Sequence, residues 1–142
     1  MEAKVVWKEK MKFDASSGQN VASMDTKSPI GEDTAMTPKE YLLSALCGCT
    51  AMDVISFMRK YKQPVQAFEV RVSAEKNNEH PIVFTKAHLI YALTGELDVE
   101  KVKEAVHLSK TKYCGVSAML GKAFPISYQI DINGQTVVDS RE

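Results

Sequence analysis

Excess charge of either sign, arginine and cysteine are what this sequence of 142 residues has little of. Lysine plus arginine number 18 and aspartate plus glutamate 18, so the formal net charge near neutrality is zero. Nucleic-acid binders normally carry a basic excess or a clustered basic stripe. Here the positives are dispersed and only Arg59, Arg71 and Arg141 are arginines, which argues against a nucleic-acid partner. No uninterrupted apolar run approaches the ~18 residues that mark a membrane span. The opening "MEAKVVWKEKMK" alternates apolar and charged residues where a signal peptide would have an apolar run. The expectation is a cytoplasmic protein with no membrane partner. Three cysteines, an odd number, fit reduced thiols or a transient catalytic disulfide better than a structural framework.

What is there reads as one domain over residues 1–142, with no repeat and no shift in composition. Residues 3–14, "AKVVWKEKMKFD", alternate as one strand, and "ASSGQN" carries the turn chemistry for a return along "VASMDT". "KSPIGEDTAM" is a loop. In "TPKE", Thr37 can cap a helix, Pro38 suits its first position and Glu40 closes a capping box. From there to about Tyr61 the chain is apolar around most of the helical girth, which predicts a central, buried helix. Gly48 within it predicts a close approach by another backbone. Alternation returns in "AFEVRVSAEK" and "PIVFTKAHLIYAL", a hairpin, and Asp98 starts a second helix. A short helix "VSAMLGK" and a strand "PISYQIDI" with an Asn133-Gly134 turn complete an α+β pattern with mainly antiparallel sheet.

Within this pattern the cysteines pose the chemical question. Cys47 and Cys49 lie two apart on the long helix, and Cys114 lies 65 residues beyond Cys49. Two helical residues turn by about 200°, so the thiols of Cys47 and Cys49 face apart and neither a zinc site nor a local disulfide is expected. Cys49 is about three turns from the helix start, beyond the reach of the dipole. An apolar surround would raise its pKa, and Asp53, four residues on, would disfavour the thiolate further, so Asp53 is expected to pair with a lysine or to cap a group at a dimer interface. Cys114, just ahead of a short helix, is better placed for stabilisation by backbone N–H groups. His80, His88 and His107 are scattered and read as surface or strand residues.

The element order, with "TPKEYLLSALCGCTAMDV" and "YCGVSAML", resembles the OsmC/Ohr family (osmotically inducible protein C and organic hydroperoxide resistance protein). The resemblance covers essentially the whole chain. The first motif is a Thr-Pro helix start with a cysteine 11 residues after the proline. The second is similar to the family's Cys-Pro-x-Ser segment with glycine for proline. It implies an OsmC-like fold, with sheet packed on a long central helix, in an intertwined homodimer. It also implies a thiol peroxidase that reduces organic hydroperoxides in oxidative-stress defence. Cys49 would be the peroxidatic residue and Cys114 the resolving one, with Glu40 a supporting carboxylate. No bound cofactor is implied, only an external dithiol reductant of the lipoyl type. Two departures mark a divergent branch: Lys39 stands where the family's peroxidases carry glutamate, and no arginine precedes Arg59. Lys39, Lys60, Lys62 or a residue of a second chain would then supply the cation. The alternatives are a non-catalytic binder of a small acyl ligand, or a redox sensor that kept the fold.

Overall fold

The computed structural model, which describes residues 1–141, breaks the first alternating stretch in two. Strand β1 is Lys4–Glu9 and β2 is Lys12–Ser17, antiparallel across a turn at Lys10 and Met11. Lys10 sits at φ 48°, and its carbonyl accepts the Trp7 indole N–H at 2.9 Å. No glycine or asparagine announces this turn, so the alternation of the sequence runs through it. Strand β3, Asn20–Met24, returns along β2 to complete a three-stranded sheet.

The loop after β3 is organised by one carboxylate. Asp25, only 2% exposed, accepts the backbone N–H groups of Thr26, Glu32 and Thr34 and the Thr34 hydroxyl. Gly31 belongs to the same wrap: a Cβ there would lie 2.3 Å from the Thr26 carbonyl and 2.6 Å from the Asp25 carboxylate. The loop delivers the chain to helix α1, Pro38–Lys60. At its start the Thr37 N–H donates to Glu40 Oε2 at 2.8 Å and the Glu40 N–H to Thr37 Oγ1 at 3.3 Å, the expected capping box. Strands β1–β3, the loop and the first turns of α1 form one compact unit, Met1–Ser44.

The second unit begins at Ala45 and contains the rest of α1. Leu46, Thr50, Val54 and Met58, each four residues after the last, form its buried stripe. Strands β4 (Ala67–Lys76), β5 (Phe84–Thr94), β6 (Ile126–Ile132) and β7 (Gln135–Asp139) make a sheet in that order. β4–β5 and β6–β7 are antiparallel, whereas β5–β6 is parallel. A parallel neighbour requires a crossover. Helix α2 (Val99–Leu108), a π-helical turn (Ser109–Tyr113) and helix α3 (Gly115–Leu120) supply it. Asp98 caps α2 by accepting the Glu100 and Lys101 N–H groups. Asn133 and Gly134, both at positive φ, make the tight β6–β7 turn. Leu89, Tyr91 and Leu93 of β5 pack with Val102, Ala105 and Val106 of α2 and the α1 stripe into one core.

Three expectations for α1 are corrected. Burial is confined to one stripe, and Met52 on another side is 74% exposed. A Cβ added at Gly48 would meet nothing within 4 Å, so the close approach is not made within this chain. By length and composition α1 is also apolar enough to cross a bilayer, which the count of uninterrupted apolar residues did not register.

Hydrogen bonds from the Thr34 N–H and hydroxyl, ahead of the other donors, hold the Asp25 carboxyl down to about 2, against burial and below its ordinary 3.8. The folded form therefore favours the charged carboxylate, and this stabilisation is present above pH ~4 and lost as pH falls toward 2. Thermal melts of Asp25→Asn are expected to show a lower Tm at neutral pH and a smaller further loss than wild type between pH 4 and 2.

Candidate active site

The second unit brings two of the three cysteines together. Cys49 is half-buried on α1, and Cys114, 3% exposed, is the N-cap of α3. The Cys114 Sγ accepts the Ser117 N–H at 3.3 Å. Cys114 lies close enough to Cys49 to push its thiol up, and the Val116 backbone N–H pushes it down. Within residues 114–117, the Cys-Gly-Val-Ser motif, Cys114 and Val116 both act on the Cys49 thiol. The Ser117 hydroxyl beside them is buried and has no hydrogen-bond partner among the described residues. Cys47 is half-buried and packs against the hydrophobic core.

The electrostatics oppose a free thiolate at Cys49. Burial pushes its thiol up, and Cys114 and the Asp53 carboxylate push the same way, while the Val116 N–H works against them. The opposing role of Asp53 was legible from its i+4 position, but its partner was not. Asp53 Oδ2 accepts the Ser109 hydroxyl at 2.9 Å, where a lysine or a group at a dimer interface was expected. Ser109 Oγ is 2.8 Å from Thr50 Oγ1, which is 2.8 Å from the Tyr91 hydroxyl. Because a carboxylate only accepts, the chain runs in one sense: Tyr91 donates to Thr50, Thr50 to Ser109, Ser109 to Asp53. Tyr91, Thr50 and Ser109 are fully buried. Burial, partly offset by the Thr50 hydroxyl, holds the Tyr91 phenol far above its ordinary value. It is a donor at any physiological pH.

Sequence reasoning missed this chain and the cation nearby. Thr50 interrupts an apolar stripe at i+4 spacing, and that polar residue in a buried register was the available signal. Lys110, on the π turn, interacts electrostatically with Cys114; burial pushes its ammonium below the usual lysine value, and Cys114 opposes this. Its amine lies 6.0 Å from the centre of the Tyr128 ring. Lys39, Lys60 and Lys62 were the lysines considered, and a regular helical period gives no reason to place Lys110 near the thiols. The described interactions of Glu40 are the Thr37 cap and an ion pair with Lys27 at 3.3 Å. Among the described residues no group of three or more His, Cys, Asp or Glu is arranged to hold a metal ion.

Asp53→Asn keeps an acceptor for Ser109 and removes the charge that raises Cys49. The pH midpoint for alkylation of Cys49 by iodoacetamide, followed by peptide mass spectrometry, is expected above the ordinary thiol value in wild type and lower in the variant.

Comparison with known proteins identifies the fold and the family. Residues 31–129 match the family model described as OsmC-like protein. Protein YhfA of Escherichia coli K12 is 38% identical over 135 residues, covering 93% of this chain and 98% of that protein. A hypothetical protein from Aquifex aeolicus superposes with a TM-score of 0.83 at 21% identity, over 93% of this chain and 95% of the other. An organic hydroperoxide resistance protein from Legionella pneumophila superposes with a TM-score of 0.68 at 13% identity, over 92% and 95%. The fold is the one that the two cysteine motifs implied, and the chain belongs to the OsmC-like protein family.

Proposed function

We propose that this protein is a thiol peroxidase that reduces organic hydroperoxides through Cys49 and Cys114. The observation that carries the reading is the approach of the Cys114 thiol to Cys49, across 65 residues of sequence and from a different element. In the first step the Cys49 thiolate attacks the outer peroxide oxygen and the O–O bond breaks. The alcohol leaves with a proton, and the sulfur is oxidised to a sulfenic acid. In the second, the Cys114 sulfur displaces that hydroxyl as water and a disulfide forms. A lipoyl-type dithiol then returns both cysteines to thiols by exchange, and the protein needs no bound cofactor. Glu40 supports the site by closing the box that begins the Cys49 helix.

The working form is a homodimer in the cytoplasm. Its support lies in apolar surface left uncovered within each unit. In the first, Val5, Val6 and Trp7 of β1 are all exposed. In the second, Met52 of α1 and Met119 of α3 are exposed. An α1 helix apolar around its girth but buried along one stripe fits coverage of the remainder by a second copy. Flexible methionine surface on the two helices that carry or follow the thiols suits an alkyl hydroperoxide better than hydrogen peroxide.

The test is consumption of cumene hydroperoxide with dihydrolipoamide as reductant. Wild type is expected to turn over, Cys49→Ser to fall to the uncatalysed background, and Cys114→Ser to oxidise Cys49 once and lose sustained turnover. Oxidation to the disulfide without continuing consumption would favour a redox sensor. Absence of thiol oxidation would favour a non-catalytic acyl-ligand binder.

A further inference from the structure

We propose that Ser109 is the positioning residue that fixes the distance between the two thiols. This rests on the pairing of Cys49 with Cys114 proposed above. Ser109 is the first residue of the π turn that Cys114 caps. Its carbonyl accepts the Cys114 N–H at 2.8 Å, an i to i+5 bond that adds a residue to the turn. Continued α-helix would rotate Cys114 by roughly 100° about the axis, carrying the sulfur away from its present direction. The wider turn is what aims Cys114.

The side chain of Ser109 fastens that turn to the helix of Cys49. Its hydroxyl bonds Thr50, the residue after Cys49, and Asp53, one turn further on. One buried residue therefore touches the Cys49 helix through its hydroxyl and the Cys114 amide through its carbonyl. Such a network is demanding, because removing one member leaves buried partners unsatisfied. Tyr91, on the sheet, closes the far end through Thr50, so the clasp has a fixed anchor. The Asp53 carboxylate raises the Cys49 thiol and serves this clasp as its terminal acceptor. Its presence beside a cysteine, unfavourable to the thiolate, then has a structural reason.

The step that Ser109 governs is disulfide closure. In it the Cys114 sulfur bonds to the Cys49 sulfenic sulfur, the S–O bond breaks, and the hydroxyl leaves as water with one proton. Attack of Cys49 on a peroxide needs no such alignment. Loss of the clasp is expected to separate the two steps.

Two measurements on the full chain test this, with Ser109→Ala, Ser109→Thr and Thr50→Val. The first is equilibrium with glutathione: oxidised glutathione and the dithiol give the Cys49–Cys114 disulfide and two reduced glutathiones, with no peroxide involved. The effective concentration of one thiol at the other is expected to fall about 10- to 100-fold in Ser109→Ala, the scale of small misplacements of reacting groups. Thr50→Val, which removes the same bridge from α1, is expected to follow it, and Ser109→Thr, which keeps the hydroxyl, to recover most of the loss. In the second, cumene hydroperoxide is added with dimedone. Ser109→Ala is expected to accumulate sulfenic acid as the Cys49 adduct, where wild type closes the disulfide. An unchanged glutathione equilibrium in both Ser109→Ala and Thr50→Val overturns the clasp. A shifted equilibrium in a protein that does not react with the hydroperoxide keeps the clasp and removes the peroxidase reading.

Discussion

The hydroxyl of Thr50 sits where the α1 stripe demands an apolar side chain, and the second unit is arranged around that exception. A buried hydroxyl without a partner costs about 1–3 kcal/mol, so each group in the chain from Tyr91 to Asp53 requires the next. Satisfying them ties together the sheet, the long helix and the crossover, three elements that apolar packing alone would allow to slide. Hydrophobic burial sets how firmly these elements associate. The polar chain sets their register, and with it where the two sulfurs come to rest.

The thiol environment gains from this in one respect and loses in another. A donor from Val116 and a second thiol are brought to Cys49, but so are burial and a carboxylate, and the net effect is to raise its pKa. A peroxidatic cysteine works as a thiolate. On the proposed peroxidase reading the activating charge would have to come from a group that couples to the pair, and Lys110 couples to Cys114. A partly buried ammonium in a weakly polar setting acts more strongly than an exposed one of the same charge. It is a different arrangement from the glutamate and N-terminal arginine of the family's peroxidases, and it fits a chain with Lys39 at the glutamate position and no early arginine.

Much of this was legible in the sequence because it depends on local rules. The capping box at Thr37, the Asp98 cap, the Asn133-Gly134 turn and the alternation of β4 and β5 are each fixed by neighbours within a few residues. The Lys10 turn was not, since a lysine at positive φ is held by the Trp7 indole and by strand pairing, neither of which has a local signature. Nor was the π turn, because its extra residue breaks the period on which helix reading relies. The two cysteine motifs marked the candidate thiols, but Ser109 and Lys110 escaped notice because they act from inside that irregular turn. For α1, an apolar girth was read as complete burial. The pattern records what the sequence can bury, whether against its own chain or another.

The parallel placement of β6 beside β5 has a consequence in time as well as space. Parallel strands meet only after the intervening crossover is made, and contacts so distant in sequence form late in folding. A growing chain presents Cys47 and Cys49 well before Cys114 has been synthesised. Until the last strands are in place, Cys49 is an ordinary thiol with no neighbour to accept its oxidation. On the proposed reading, redox chemistry between the two sulfurs is thus reserved for the completed molecule.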